Sequence, residues 1–172
     1  MLGTILKKEV CINCKNCCVF YSKSRWEMPE IPAENADKIR EFLKCENAVK
    51  EINGKIKMNG ILRDEKCNKR AEEYRCPALD ESKGCTLPEE LKPIECSMWP
   101  VRVMNDGEKI YVSLASTCHG ADNYFKNNLM KLLNESLKKD IIGIVKKDKS
   151  IIKEYDQSYE KLIEITEELN EG

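Results

Sequence analysis

Four cysteines crowd into eight residues near the start of the chain, Cys11, Cys14, Cys17 and Cys18, in the pattern C-x-x-C-x-x-C-C. Two thiolates separated by two residues can be aimed at one metal by a tight turn, with backbone amides left to point at the sulfurs. Three such ligands in series match the run that grips iron in bacterial ferredoxins. The further cysteine followed by proline that completes that run is missing nearby, but Cys76-Pro77 carries the pair at a distance, and Cys85, Cys96 and Cys118 are further candidates. Adjacent side chains point to opposite faces of an extended chain and lie about 100° apart on a helix. Cys17 and Cys18 are therefore expected to be awkward partners on one small ion and better suited to two sites or to different corners of a cluster. A helical segment would align Cys11, Cys14 and Cys18, whereas a ferredoxin-like loop would group Cys11, Cys14 and Cys17. Val10, Ile12 and the two asparagines speak against regular helix.

Ten cysteines in 172 residues need an explanation that depends on compartment. The opening Met1-Leu2-Gly3-Thr4-Ile5-Leu6-Lys7-Lys8 lacks the apolar run of an export signal, and no stretch approaches the roughly 20 apolar residues of a membrane helix. A cytoplasmic location is expected, where disulfides are rare and metal ligation is the leading alternative. Close pairs such as these are also poor disulfide geometry. Cys45 lies beside an apolar helical stripe and is expected in the core; Cys67 is ambiguous. The single His119 is expected as a structural neighbour of the ligands rather than as one of them.

Apolar residues make up 41% of the chain and charged residues 34%, enough for a folded core. The net charge of −1, from 29 basic against 30 acidic residues, predicts no nucleic-acid partner and no anionic membrane surface. No G-x-G occurs among the eight glycines, so a nucleotide fingerprint is absent. A lone histidine leaves little room for a catalytic triad, so an enzyme is not favoured.

Several elements must position these residues. Ile39, Phe42 and Leu43 predict an amphipathic helix over 33–45. Asn53-Gly54 between alternating residues predicts a hairpin over 50–58, and Asn105-Asp106-Gly107 predicts a second one over 101–114. Residues 63–100, with four prolines and little periodicity, predict a loop-rich segment held by something other than an apolar core. Beyond Ala121 one helix is predicted from Phe125, Leu129, Leu132, Leu133 and Leu137, N-capped by Asp122. A second is predicted from Ile152, Tyr155, Tyr159, Leu162, Thr166 and Leu169. The predicted fold is α+β: a small loop-rich, metal-centred core with β-hairpins over 1–120, then a helical pair over 121–172, packed on that core or on a partner.

The segments C-I-N-C-K-N-C-C, C-P-A-L-D-E-S-K-G-C-T-L and L-K-P-I-E-C-S-M-W-P, in this order, resemble the CxxCxxCC (YkgJ-like) cysteine-cluster family, described as zinc- or iron-chelating domains. The resemblance runs over residues 11–120 and implies eight ligands: Cys11, Cys14, Cys17, Cys18, Cys76, Cys85, Cys96 and Cys118. Where the family usually has Arg-Pro this chain has Lys92-Pro93, which puts any role of a planar guanidinium in doubt. The family includes a flagellin lysine methylase to which an iron–sulfur centre is ascribed. The resemblance therefore implies iron before zinc, without carrying the methylase activity over. Together these observations predict a 4Fe–4S protein in a redox or accessory role with a protein or redox partner. The alternative is a zinc-stabilised interaction module with two four-cysteine sites.

Overall fold

The computed structural model of the chain describes residues 8–21, 26–62 and 73–171. They fall into two compact units, one of Cys11–Ser97 and one built on Met98–Gly172. The fold is α+β, as expected. Among the described residues no helix is long and apolar enough to cross a membrane.

The first unit consists of short pieces. Helix α1 (Lys8–Cys14) stops at Lys15, whose φ of 55° lies in the left-handed region. A single 3₁₀ turn, Asn16–Cys18, follows and leads into β1 (Val19–Tyr21). The expectation against regular helix is thus corrected as far as Cys14. Propensity is a weak prior, and the penalties of β-branched and asparagine residues are each well under 1 kcal/mol. Helix α2 (Ala33–Leu43) ends at the left-handed Lys44 and buries Ala36 and Ile39. Its apolar face runs through Ala36, Ile39 and Leu43, while Phe42, expected in that stripe, is 48% exposed. The hairpin of β2 (Val49–Ile52) and β3 (Lys55–Met58) turns on Asn53 and Gly54, both with positive φ, the conformation that favours this pair of residues.

The remaining strands of this unit are shorter still: β4 (Ile61–Leu62), β5 (Glu73–Arg75), β6 (Leu79–Asp80) and β7 (Gly84–Cys85), followed by α3 (Ile94–Met98). Strand β5 lies between β1 and β4, and β6 pairs with β7. The unit's apolar cluster joins Ile31, Ala36, Ile39, Ala48, Val49, Met58, Ala78 and Leu87. Cys45 packs against this cluster, where the sequence placed it. Cys67 lies outside the described residues.

The second unit is more regular. Strands β8 (Val101–Asn105) and β9 (Ile110–Ala115) form the second predicted hairpin. Helix α4 (Asn123–Leu132) runs through a π turn, Leu133–Leu137, into α5 (Lys138–Lys147). Asp122 caps it, its Oδ1 accepting the Phe125 N–H at 2.8 Å, an interaction worth about 1 kcal/mol. Phe125, Leu129, Leu133, Leu137, Ile141 and Val145 are all buried, one every four residues. In a pure α-helix such a stripe drifts about 40° per step, and the extra residue of the π turn takes up part of that drift.

The second helix of the predicted pair does not form. Ile152–Glu154 is instead strand β10 and Tyr159–Glu164 is strand β11, with only a short helix α6 (Thr166–Asn170) after them. The positions chosen for a helical stripe are interrupted by the turn at Asp156, whose Oδ1 accepts the Ser158 N–H at 2.8 Å. The strands on either side gain ladder partners. Strand β10 runs parallel to β8 and β11 antiparallel to β9, giving the order β10-β8-β9-β11. This sheet also moves the expected boundary. Because β8 and β9 share it with β10 and β11, the division between the units falls near Met98 rather than near Ala121.

Candidate metal centre

The left-handed Lys15 decides where the N-terminal thiols go. By ending α1 after Cys14 it starts a tighter turn on which Cys17 and Cys18 sit side by side. Their sulfurs are 3.9 Å apart. Neighbours on a 3₁₀ turn point about 120° apart, so this approach is made by the side chains turning toward each other. Lys15 is itself anchored, its Nζ 2.6 Å from Glu81, which also pairs with Arg75.

Cys76 arrives from the end of β5. Its N–H donates to the carbonyl of Cys18 at 2.8 Å, and β1–β5 pairing holds the two segments in register from Val19–Arg75 onward. Cys85 ends β7, opposite Leu79. Gly84 beside it has φ +78°, and a Cβ there would lie 3.2 Å from Cγ1 of Ile12. The lack of a side chain thus lets the strand pass close to α1. Cys96 lies in α3, its N–H bonded to the Pro93 carbonyl at 2.9 Å. The preceding Glu95 is buried and accepts the Glu30 N–H at 2.6 Å, which ties α3 to the connector before α2.

The Cys18 thiol responds to this gathering. Its hydrogen bond with Cys17 pulls its pKa down, but three effects outweigh that pull: a hydrogen bond with Cys76, burial, and the charges of Cys76 and Cys96. The thiol is pushed well above its ordinary range. Like charges in a poorly solvated spot cannot all ionise together, which is the condition that a bound cation relieves. Lys92 supplies positive charge on one side. Burial pulls its pKa down, yet Glu89, bonded to it at 3.0 Å, and the charges of Cys85 and Cys96 hold it above the usual value.

Of the eight expected ligands, Cys17 and Cys18 approach each other, Cys76 is hydrogen-bonded to Cys18, and Cys96 acts on Cys18 through its charge, while Cys85 and Cys96 both act on Lys92. Cys14 is half-buried at the end of α1. The side chain of Cys11 lies outside the described residues. Cys118 belongs to the second unit, where its buried side chain follows β9 and its N–H bonds to Ala115. His119 is exposed beside it. Among the described residues, no three His, Cys, Asp or Glu side chains are set to hold a metal ion as they stand; the thiols pair rather than converge. Glu89 and Glu95 were not anticipated from the sequence. Glu95 adjoins Cys96 and Glu89 lies four residues beyond Cys85, which is little signal within a loop-rich segment.

No family model matches the chain, and no curated protein and no solved structure matches it at a significant level. The likeness to the cysteine-cluster family rests on the motif residues themselves.

Proposed function

We propose that the Cys11–Ser97 unit is a thiolate metal centre carrying a 4Fe–4S cluster, and that the protein serves a redox or accessory role with a protein partner in a reducing compartment. The observation that supports this reading is the 3.9 Å approach of the Cys17 and Cys18 sulfurs, with Cys76 hydrogen-bonded to Cys18 and Cys96 near enough for its charge to act on that thiol, from three separate stretches of chain. The donors are soft, which suits iron–sulfur, zinc or copper(I) rather than magnesium, calcium or manganese. A cluster accepts ligands from a closely spaced run together with a remote cysteine. Cys11, Cys14 and one of Cys17 and Cys18 would supply the run, with Cys76 or Cys96 as the remote ligand. The cluster would supply one-electron chemistry; the protein's part is to hold the thiolates, bury Cys18 and set Lys92 against their charge.

One observation favours the second reading, zinc. A tetrahedral zinc–thiolate site with bonds of about 2.3 Å has sulfurs roughly 3.8 Å apart, close to the spacing of Cys17 and Cys18. Anaerobic purification with iron, acid-labile sulfide and zinc counted per chain separates the two. Brown protein with about four iron and four sulfide supports the cluster. Colourless protein with about two zinc and no sulfide replaces it with the zinc module.

A further inference from the structure

The second unit collects a cation-binding set of side chains that the metal reading does not use. Asp106 follows β8, Tyr111 lies in β9, Tyr155 follows β10 and Lys161 lies in β11, so each strand of the sheet contributes one member. The Lys161 ammonium sits 4.4 Å from the centre of the Tyr111 ring and 4.6 Å from that of Tyr155. Its Nζ is 2.5 Å from Oδ2 of Asp106. Two aromatic faces and a carboxylate around one nitrogen form a cage for an organic cation. The frame holding them is rigid: the Tyr155 hydroxyl donates to the Tyr159 carbonyl at 2.8 Å, and the Tyr155 N–H donates to the Asn105 carbonyl at 2.8 Å. Oδ1 of Asp106 accepts the backbone N–H groups of Glu108 and Lys109. The Lys161 side chain is 35% exposed, so this occupant comes in from the solvent side.

A cavity of about 500 Å³ opens beside the cage, with Asp106 and Tyr155 on its wall together with Gly107 and Glu154. Two cage members thus face a space that Lys161 itself does not line. Gly107, at φ +100°, has nothing within 4 Å of where a Cβ would stand, which leaves that side open. We propose that Asp106, Tyr111 and Tyr155 form a recognition site for an alkylammonium group, in which Lys161 is a displaceable occupant belonging to the chain itself. A ligand enters through the neighbouring cavity, exchanges its cation for that of Lys161, and places its carbon skeleton against Gly107. The same chemistry is offered by a free alkylammonium ion and by a lysine side chain of another protein.

The test is titration of the full chain, followed by the ring resonances of Tyr111 and Tyr155, with tetramethylammonium and separately with a short N-terminally acetylated peptide whose one lysine side chain is unmodified. Removing the internal competitor raises apparent affinity, so Lys161→Gln is expected to bind at least one probe about tenfold more tightly than the parent chain. Adding Tyr155→Leu to Lys161→Gln is expected to abolish that gain. Tighter binding of the peptide identifies a partner's lysine as the source, and tighter binding of the small ion identifies a free cation. Should Lys161→Gln misfold by circular dichroism, competition is read in the parent chain, where added probe is expected to shift both rings. A folded Lys161→Gln that binds neither probe, or a parent chain whose rings shift with neither, overturns the proposal and leaves Lys161 a clamp between β11 and the β8–β9 turn.

Discussion

The two units of this chain solve the problem of stability in different ways. In Met98–Gly172, strands of three, five, six and six residues pair into a four-stranded sheet, and a helix of about seven turns buries an apolar residue at every fourth position. Among the described residues of Cys11–Ser97 the strands have two to four residues, the sheets have two or three strands, and the apolar cluster is small. Isolated pairs of short strands are marginal in water. What distinguishes the first unit is its thiols, and the contrast teaches where a ligand's free energy is needed. The regular unit has its own packing to stand on; under the proposed function, the irregular one is completed by metal.

The largest effect expected from this contrast is on metal removal. Structural thiolate sites contribute on the order of 10 kcal/mol to the domain that holds them, more than a unit of this size is expected to have in reserve. Anaerobic chelation should therefore erase amide protection in β1, β5 and α3 while leaving β8, β9 and α4 protected. Hydrogen exchange reads both in one experiment, and equal loss in the two units would erase the distinction. Cys76→Ser and Cys18→Ser should act as chelation does. Cys45→Ser, a change in the apolar cluster, should keep the metal.

A substitution in the regular unit sharpens the comparison from the other side. Leu129 is fully buried, and Leu129→Ala should cost about 2–5 kcal/mol of stability with metal content unchanged. Thermal unfolding together with metal analysis checks both halves. A smaller effect is expected at Gly84. There a side chain must adopt a positive φ and meet Ile12, so Gly84→Ala should cost about 1–3 kcal/mol and loosen metal binding, as read by the rate of metal loss to a chelator.

The smallest effect concerns pH. The ammonium of Lys161, with the backbone N–H groups of Lys109 and Glu108, lowers the pKa of Asp106 from 3.8 to about 2. A carboxyl with a lowered folded-state pKa stabilises the fold above its unfolded value and loses that contribution as pH falls toward the folded one. The melting temperature of the second unit should therefore fall between about pH 4 and pH 2, and Asp106→Asn should flatten that part of the profile. The group is exposed, so the change should be slight and weaker in high salt.

Local signals in the sequence were legible wherever one residue type had one job. Asn53-Gly54 marked a hairpin because both positions need positive φ, and Asp122 marked a helix start because its carboxylate meets a bare N–H. The stripe from Phe125 to Leu137 marked a helix but hid its continuation to Lys147, since the π turn shifts the period. The segment from Ile152 to Leu169 was misread because residues three and four apart also suit strands joined by a turn, and only pairing with β8 and β9 decides. The number and spacing of the cysteines are what the metal proposal starts from. Their arrangement was not legible, because the 3.9 Å approach of Cys17 to Cys18 depends on a left-handed Lys15 that nothing in its side chain dictates.

The central claim, a metal held by cysteine sulfur in the first unit, is tested most directly by X-ray absorption at the edge of the bound metal in anaerobically purified protein. The account predicts a shell made only of sulfur at about 2.3 Å, lost in the combined Cys18→Ser and Cys76→Ser chain. A shell of nitrogen and oxygen, or a sulfur shell unchanged by those substitutions, would contradict it.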